Sequence, residues 1–126
     1  MKHETLFSND GGGIDGLGMY RYTLWRDVRG PMISRPEEYL MIIGLNPSTA
    51  TATEDDNTIH SCIRVTRRLG FGWLLMTNLF AFRETDPKIM KKHPVPIGPD
   101  NDRILLMYAA DAGLILCAWG RRGFVP

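Results

Sequence analysis

The sequence has little of what marks several common functional classes. Among its 126 residues there are only two cysteines and three histidines, and neither set has metal-ligand spacing. A structural zinc site and a disulfide framework are thereby excluded, and no metal and no cofactor is expected. Cys62 and Cys117 each sit in an apolar periodic segment and read as buried free thiols of a reducing compartment, so the protein is expected in the cytoplasm. No apolar run approaches the roughly 20 residues of a membrane-spanning helix, and no signal peptide is visible, so no membrane is expected. There is no Ser-His-Asp order and no P-loop glycine pattern, and Gly11-Gly12-Gly13 stands too isolated to count as one. Excess charge is missing too. With Lys and Arg at 15, Asp and Glu at 14 and a net charge of +1, the overall balance argues neither for nor against nucleic acid.

What is present is an ordinary globular composition, 44% apolar and 23% charged, in a chain of one-domain length. Residues 1–18 lack pattern and read as a flexible arm or long loop, leaving 19–126 as a single α/β domain. Met19 to Val28 alternates loosely, with Tyr20, Tyr22 and Leu24 set against Arg21, Thr23, Trp25 and Arg26, which suits a half-buried strand. Leu40-Met41-Ile42-Ile43 is apolar on both faces and predicts a buried central strand over Tyr39 to Leu45, ended by Asn46-Pro47.

A helix is expected next. Asp56 or Asn57 caps it, Ile59, Cys62, Ile63 and Leu69 form its inner stripe, Arg64, Arg67 and Arg68 lie off the stripe with His60, and Gly70 stops it. Trp73 to Phe80 reads as a second buried strand, so a parallel crossover follows. A short helix fits Asp86 to Lys92. Asp100 or Asn101 opens another, with Ile104, Leu105, Tyr108 and Ala112 inside, and Leu114 to Gly120 makes a third buried strand. The expected fold is a three-layer α/β sandwich with a mainly parallel sheet. The chain stops just after a central-looking strand, so the domain reads as short at its C-terminus.

Polar residues cluster just past the carboxyl ends of these strands, where open α/β sheets place ligands. Asn46, Ser48 and Thr49 follow the first. An amide there can hold a water or carbonyl and the hydroxyls a phosphate; an Asx-type turn without ligand explains the same residues. Thr77 and Asn78 are polar inside an apolar strand and must find partners, in neighbouring loops or in a ligand. Beyond them, Arg83 suits a phosphate, and Asp86 a base or, the favoured reading, a helix cap.

These residues carry a resemblance. Tyr20-Arg21-Tyr22, Leu24-Trp25-Arg26, Leu45-Asn46-Pro47-Ser48-Thr49-Ala50, Asp55-Asp56 with Thr58, Asn78 through Arg83, Gly98-Pro99 with Asn101-Asp102, and Ala118-Trp119-Gly120 together resemble the bacterial and phage family catalogued as domain of unknown function 1643. More remotely, Gly44 to Pro47, Thr77 to Leu79 and Leu116 to Gly120 are similar, in order, to motifs of the mismatch-specific branch of the uracil-DNA glycosylase superfamily. Two departures stand out: Ser48 replaces the Gly usual after Asn-Pro, and the final His-bearing loop of those enzymes has no counterpart after Gly120. The remote resemblance implies a glycosylase-like hydrolase acting on a nucleobase, a nucleotide or DNA. Asn46 would position water or sugar as the catalytic residue, and Asn78 would hydrogen-bond the base edge. Phe80, Phe82 and Trp119 would line the base site, and Ser48, Thr49 and Arg83 would hold phosphate. The alternative is a non-enzymatic module of phage or bacterial origin that binds a nucleotide or a partner protein, for which an exposed apolar patch is the expected sign.

Overall fold

The computed structural model describes residues 12–14, 21–45, 56–81, 97–98 and 100–119. Seven elements follow in chain order: β1 (Gly12–Ile14), β2 (Arg21–Asp27), β3 (Arg35–Gly44), α1 (Asn57–Arg68), β4 (Phe71–Asn78), α2 (Asn101–Ala109) and β5 (Leu114–Cys117). The strands form one sheet in the order β1-β2-β4-β3-β5. β4, β3 and β5 run parallel, while β2 pairs antiparallel to β4 and β1 antiparallel to β2. The sheet is therefore mixed, not mainly parallel. Strand direction is invisible in β2 itself, because nothing in its side-chain pattern records which neighbour it will meet.

Among the described residues each face of the sheet carries one helix. Successive strand residues point to opposite faces, and the two cores divide that way. Leu40 and Ile42 of β3 with Leu74 and Met76 of β4 meet Ile59, Cys62 and Ile63 of α1. Tyr39 and Met41 with Trp73 and Leu75 meet Ile104, Leu105 and Tyr108 of α2. Trp25 packs edge-on between Tyr39 and Tyr108, at ring-centroid distances of 5.2 and 5.5 Å. The Tyr39 hydroxyl donates to the Tyr108 carbonyl, and burial pushes the Tyr39 phenol pKa up.

α1 forms where its local signals are strongest. Asp56 Oδ1 accepts from the Ile59 backbone N–H at 2.9 Å, satisfying one of the free donors of the first turn. Ile59, Cys62, Ile63 and Thr66 fall at helical spacing on the inner face. Thr66, which the expected stripe omitted, is fully buried, and its hydroxyl is satisfied by the Cys62 carbonyl at 2.7 Å. Gly70 ends the turn at φ +86°, a conformation open to glycine.

Several expectations need correction. Leu69 is exposed, because the helix ends one residue earlier and turns it outward. β2 is not half-buried: Arg21 to Trp25 are all buried, since β1 and β4 flank the strand. Within the stretch read as an arm, Gly12–Ile14 form β1. β5 is parallel as expected, yet all four of its residues are exposed, including Cys117, because it is the edge strand with β3 as its one paired neighbour. Between Arg35 and Tyr39 the β3–β4 register shifts, and a Cβ on Gly72 would lie 2.1 Å from the Pro36 carbonyl oxygen. Only a glycine allows that approach. The helix expected over Asp86 to Lys92 lies outside the described residues. No helix among those described is long and apolar enough to cross a membrane.

Candidate functional site at the carboxyl edge of the parallel strands

The connection leaving β3 leads to α1 on one face, and that leaving β4 leads to α2 on the other. Adjacent parallel strands whose exits diverge in this way define the switch point at which open α/β sheets bind ligands. Here it falls between the paired residues Gly44 and Asn78.

Backbone bonds continue the pairing past the strand ends. Leu79 N–H donates to the Gly44 carbonyl and Phe80 N–H to that of Leu45, each at 2.9 Å. Ala81 then donates to Ile97 at 3.1 Å and accepts from Arg21 N–H at 2.8 Å. On the other side Ala118 N–H donates to the Ile43 carbonyl at 2.8 Å, which sets Trp119 at the same edge. Trp119 is half-buried and stands two strands from Asn78, a span of about 10 Å.

The two polar residues of β4 separate in role. Thr77 is buried, and its hydroxyl donates to the Ile42 carbonyl at 3.0 Å, which ties β4 to β3. Asn78 is 5% exposed, and a Cβ on Gly44 would come within 2.9 Å of its Oδ1. The glycine at position 44 is thus what lets the amide sit against the end of β3. Phe80 is buried beside it.

Sequence reasoning missed two residues at this edge. Arg21, assigned to the outer face of its strand, is buried, and its backbone N–H is bonded to the Ala81 carbonyl. Asn101, assigned only to opening a helix, is fully buried, and its Nδ2 donates to the carbonyls of Asn78 at 2.8 Å and Leu79 at 3.1 Å. Those two acceptors fix the orientation of the amide, and its Oδ1 has no hydrogen-bond partner among the described residues. The signal was faint: an Asn at a helix start has a sufficient local explanation as a cap, so nothing directs attention to a contact more than twenty residues away.

A buried amide at this edge can hold a flat polar ligand by hydrogen bonds. Of the residues predicted for the site, Asn78, Phe80 and Trp119 lie at one edge, and Asn46, Ser48, Thr49, Phe82 and Arg83 lie outside the described residues. Among those described, no group of three or more His, Cys, Asp or Glu comes together as a metal site would require.

The family model described as "Protein of unknown function (DUF1643)" matches residues 21–126. No curated protein and no solved structure matches.

Proposed function

This chain belongs to the DUF1643 family, whose description names no activity, and we propose from the site itself that the domain binds a nucleobase or nucleotide at the carboxyl edge of its parallel strands. The observation that carries this reading is a buried amide, Asn78, seated against Gly44 at the switch point; the buried Arg21, on the strand that pairs with β4, supports it. An amide pairs with the donor and acceptor of a base edge, and a guanidinium suits an anionic phosphate.

Under this reading the chemistry is hydrolysis of an N-glycosidic bond, as in a uracil-DNA glycosylase. Asn46 positions the water, Asn78 reads the base, Phe80, Phe82 and Trp119 enclose it, and Ser48, Thr49 and Arg83 take the phosphate. The three-layer glycosylase-like sandwich is the fold that goes with it; the helix on each face of the sheet and the order of the motifs support it.

Calorimetric titration with nucleoside monophosphates, paired with a base-release assay on oligonucleotides, tests the proposal. Asn78→Ala should weaken nucleotide binding at least tenfold, in keeping with about 1–3 kcal/mol for a lost buried hydrogen bond. Asn46→Ala should abolish turnover while leaving the protein folded. Unchanged binding in the first variant would remove the amide from the site.

A second reading, a non-enzymatic partner-binding module, is favoured by one observation. Leu114, Ile115 and Leu116 of β5 are 45%, 41% and 38% exposed, on an edge strand carrying neither charge nor proline. If it is right, Leu116→Lys abolishes partner capture and Asn78→Ala leaves it intact.

A further inference from the structure

We propose that the outer face of α1 is a contact for the phosphate backbone of a nucleic acid strand. This rests on the nucleotide reading of the site and extends it from a mononucleotide to a polymer.

The exposed arginines on α1 differ in their pairing from those elsewhere. Outside α1, Arg29 pairs with Asp27 at 2.8 Å, Arg35 with Glu38 at 3.6 Å and Arg103 with Asp100 at 3.5 Å. On α1, Arg64, Arg67 and Arg68 are also exposed, yet none of them forms an ion pair among the described residues. Arg64 donates only to the neutral Ser61 hydroxyl, at 3.2 Å. The helix Asn-Thr-Ile-His-Ser-Cys-Ile-Arg-Val-Thr-Arg-Arg contains no acidic residue at all. A chain with nearly balanced charge therefore keeps one helix face purely cationic.

Helix electrostatics explain part of this and leave the rest. Arg67 and Arg68 occupy the last turn, where a cation offsets the negative end of the helix dipole. Arg64 does not. It stands four residues before Arg68, the spacing at which like charges meet and destabilise a helix. A face built for stability alone would place an acid at one of these positions, as the other exposed arginines have. A polyanion supplies the missing negative charge instead. Arg64 and Arg68 lie about 6 Å apart along the axis, close to two phosphate steps of a strand at roughly 3.4 Å each.

Position decides the class of ligand. The turn at Leu69 and Gly70 joins α1 to Phe71, the first residue of β4, whereas Asn78 is the last. At about 3.3 Å per residue those two ends are roughly 23 Å apart. A mononucleotide at Asn78 cannot reach the arginines near Phe71, but a strand of several nucleotides running down α1 can. His60 is exposed on the same helix nearer the site.

The test uses fluorescence anisotropy of a labelled 20-mer, single- and double-stranded, on the full chain and on Arg64→Gln/Arg67→Gln/Arg68→Gln, with calorimetry of a nucleoside monophosphate alongside. The triple variant should bind the duplex at least tenfold more weakly at low salt. Its slope of log affinity against log salt should be shallower by about 2–3, at roughly 0.9 per lost phosphate contact. Monophosphate affinity should not change, and the corresponding triple Lys variant should keep the slope. An unchanged oligonucleotide affinity and slope overturns the proposal, as does binding to phosphatidylserine vesicles with none to either oligonucleotide. The two readings fail separately. If Asn78→Ala abolishes monophosphate binding while the triple variant leaves the oligonucleotide untouched, the α1 contact falls alone. If the triple variant flattens the slope while Asn78→Ala changes nothing, the nucleotide site falls alone.

Discussion

β4 reads Phe-Gly-Trp-Leu-Leu-Met-Thr-Asn and β5 reads Leu-Ile-Leu-Cys; every residue of the first is buried and every residue of the second is exposed. Both carry apolar residues on both faces, so by sequence alone both read as interior strands. The difference comes from their neighbours. β4 has β2 on one side, β3 on the other and a helix on each face. Among the described residues β5 has β3 on one side only. An apolar run reports that a segment extends and pairs; what covers it is settled by the rest of the chain.

The contrast can be broken by substitution. Leu75→Ala removes a side chain with no exposed area from the centre of β4 and should destabilise by about 2–5 kcal/mol in denaturant unfolding. Ile115→Ala on β5 should cost less than about 1 kcal/mol, since much of the side chain is already in water. Equal costs would mean that β5 is covered in solution.

Gly72→Ala sharpens the point without changing hydrophobicity. Its Cβ would meet the Pro36 carbonyl at 2.1 Å, and because backbone cannot step aside as a side chain can, a loss of about 3 kcal/mol is expected in thermal unfolding. Thr77 and Cys117 face the same residue, Ile43, from opposite sides. Thr77→Val loses the bond to the Ile42 carbonyl and should cost about 1–2 kcal/mol, while Cys117→Val should stay within about 0.5 kcal/mol.

The smallest effect belongs to Asp27, paired with Trp73 across β2 and β4. Its bond to the Arg29 guanidinium holds its carboxyl below the usual range. The resulting stabilisation is present above the ordinary carboxylate pKa and disappears as pH falls through the lowered value. The pair is exposed to solvent, so Asp27→Asn at pH 7 should change stability by less than about 1 kcal/mol, and by less still in high salt.

The same contrast explains how far the sequence could be read. α1 was legible from its cap at Asp56, its apolar spacing and its stop at Gly70, because all three signals lie within the element. The parallel β3–β4 pair was legible for a similar reason, through two apolar runs with a helix between. The direction of β2, the pairing of β1 and the exposure of β5 depend on partners distant in the chain and were not. At the site, Asn78 announced itself as a polar residue inside an apolar strand. Arg21 and Asn101 did not, because an Arg in a strand and an Asn at a helix start both have sufficient local explanations.

Ala81 and Ile97 are joined by a backbone hydrogen bond at 3.1 Å, which closes a gate between the two residues flanking 82–96. Once the framework has closed such a gate, lengthening the segment beyond it costs only a logarithmic entropy, about 0.6 kcal/mol for each doubling. Phe82 and Arg83 belong to that segment. Evolution, or an engineer, can therefore lengthen this stretch at small cost while the sheet behind it stays as it is.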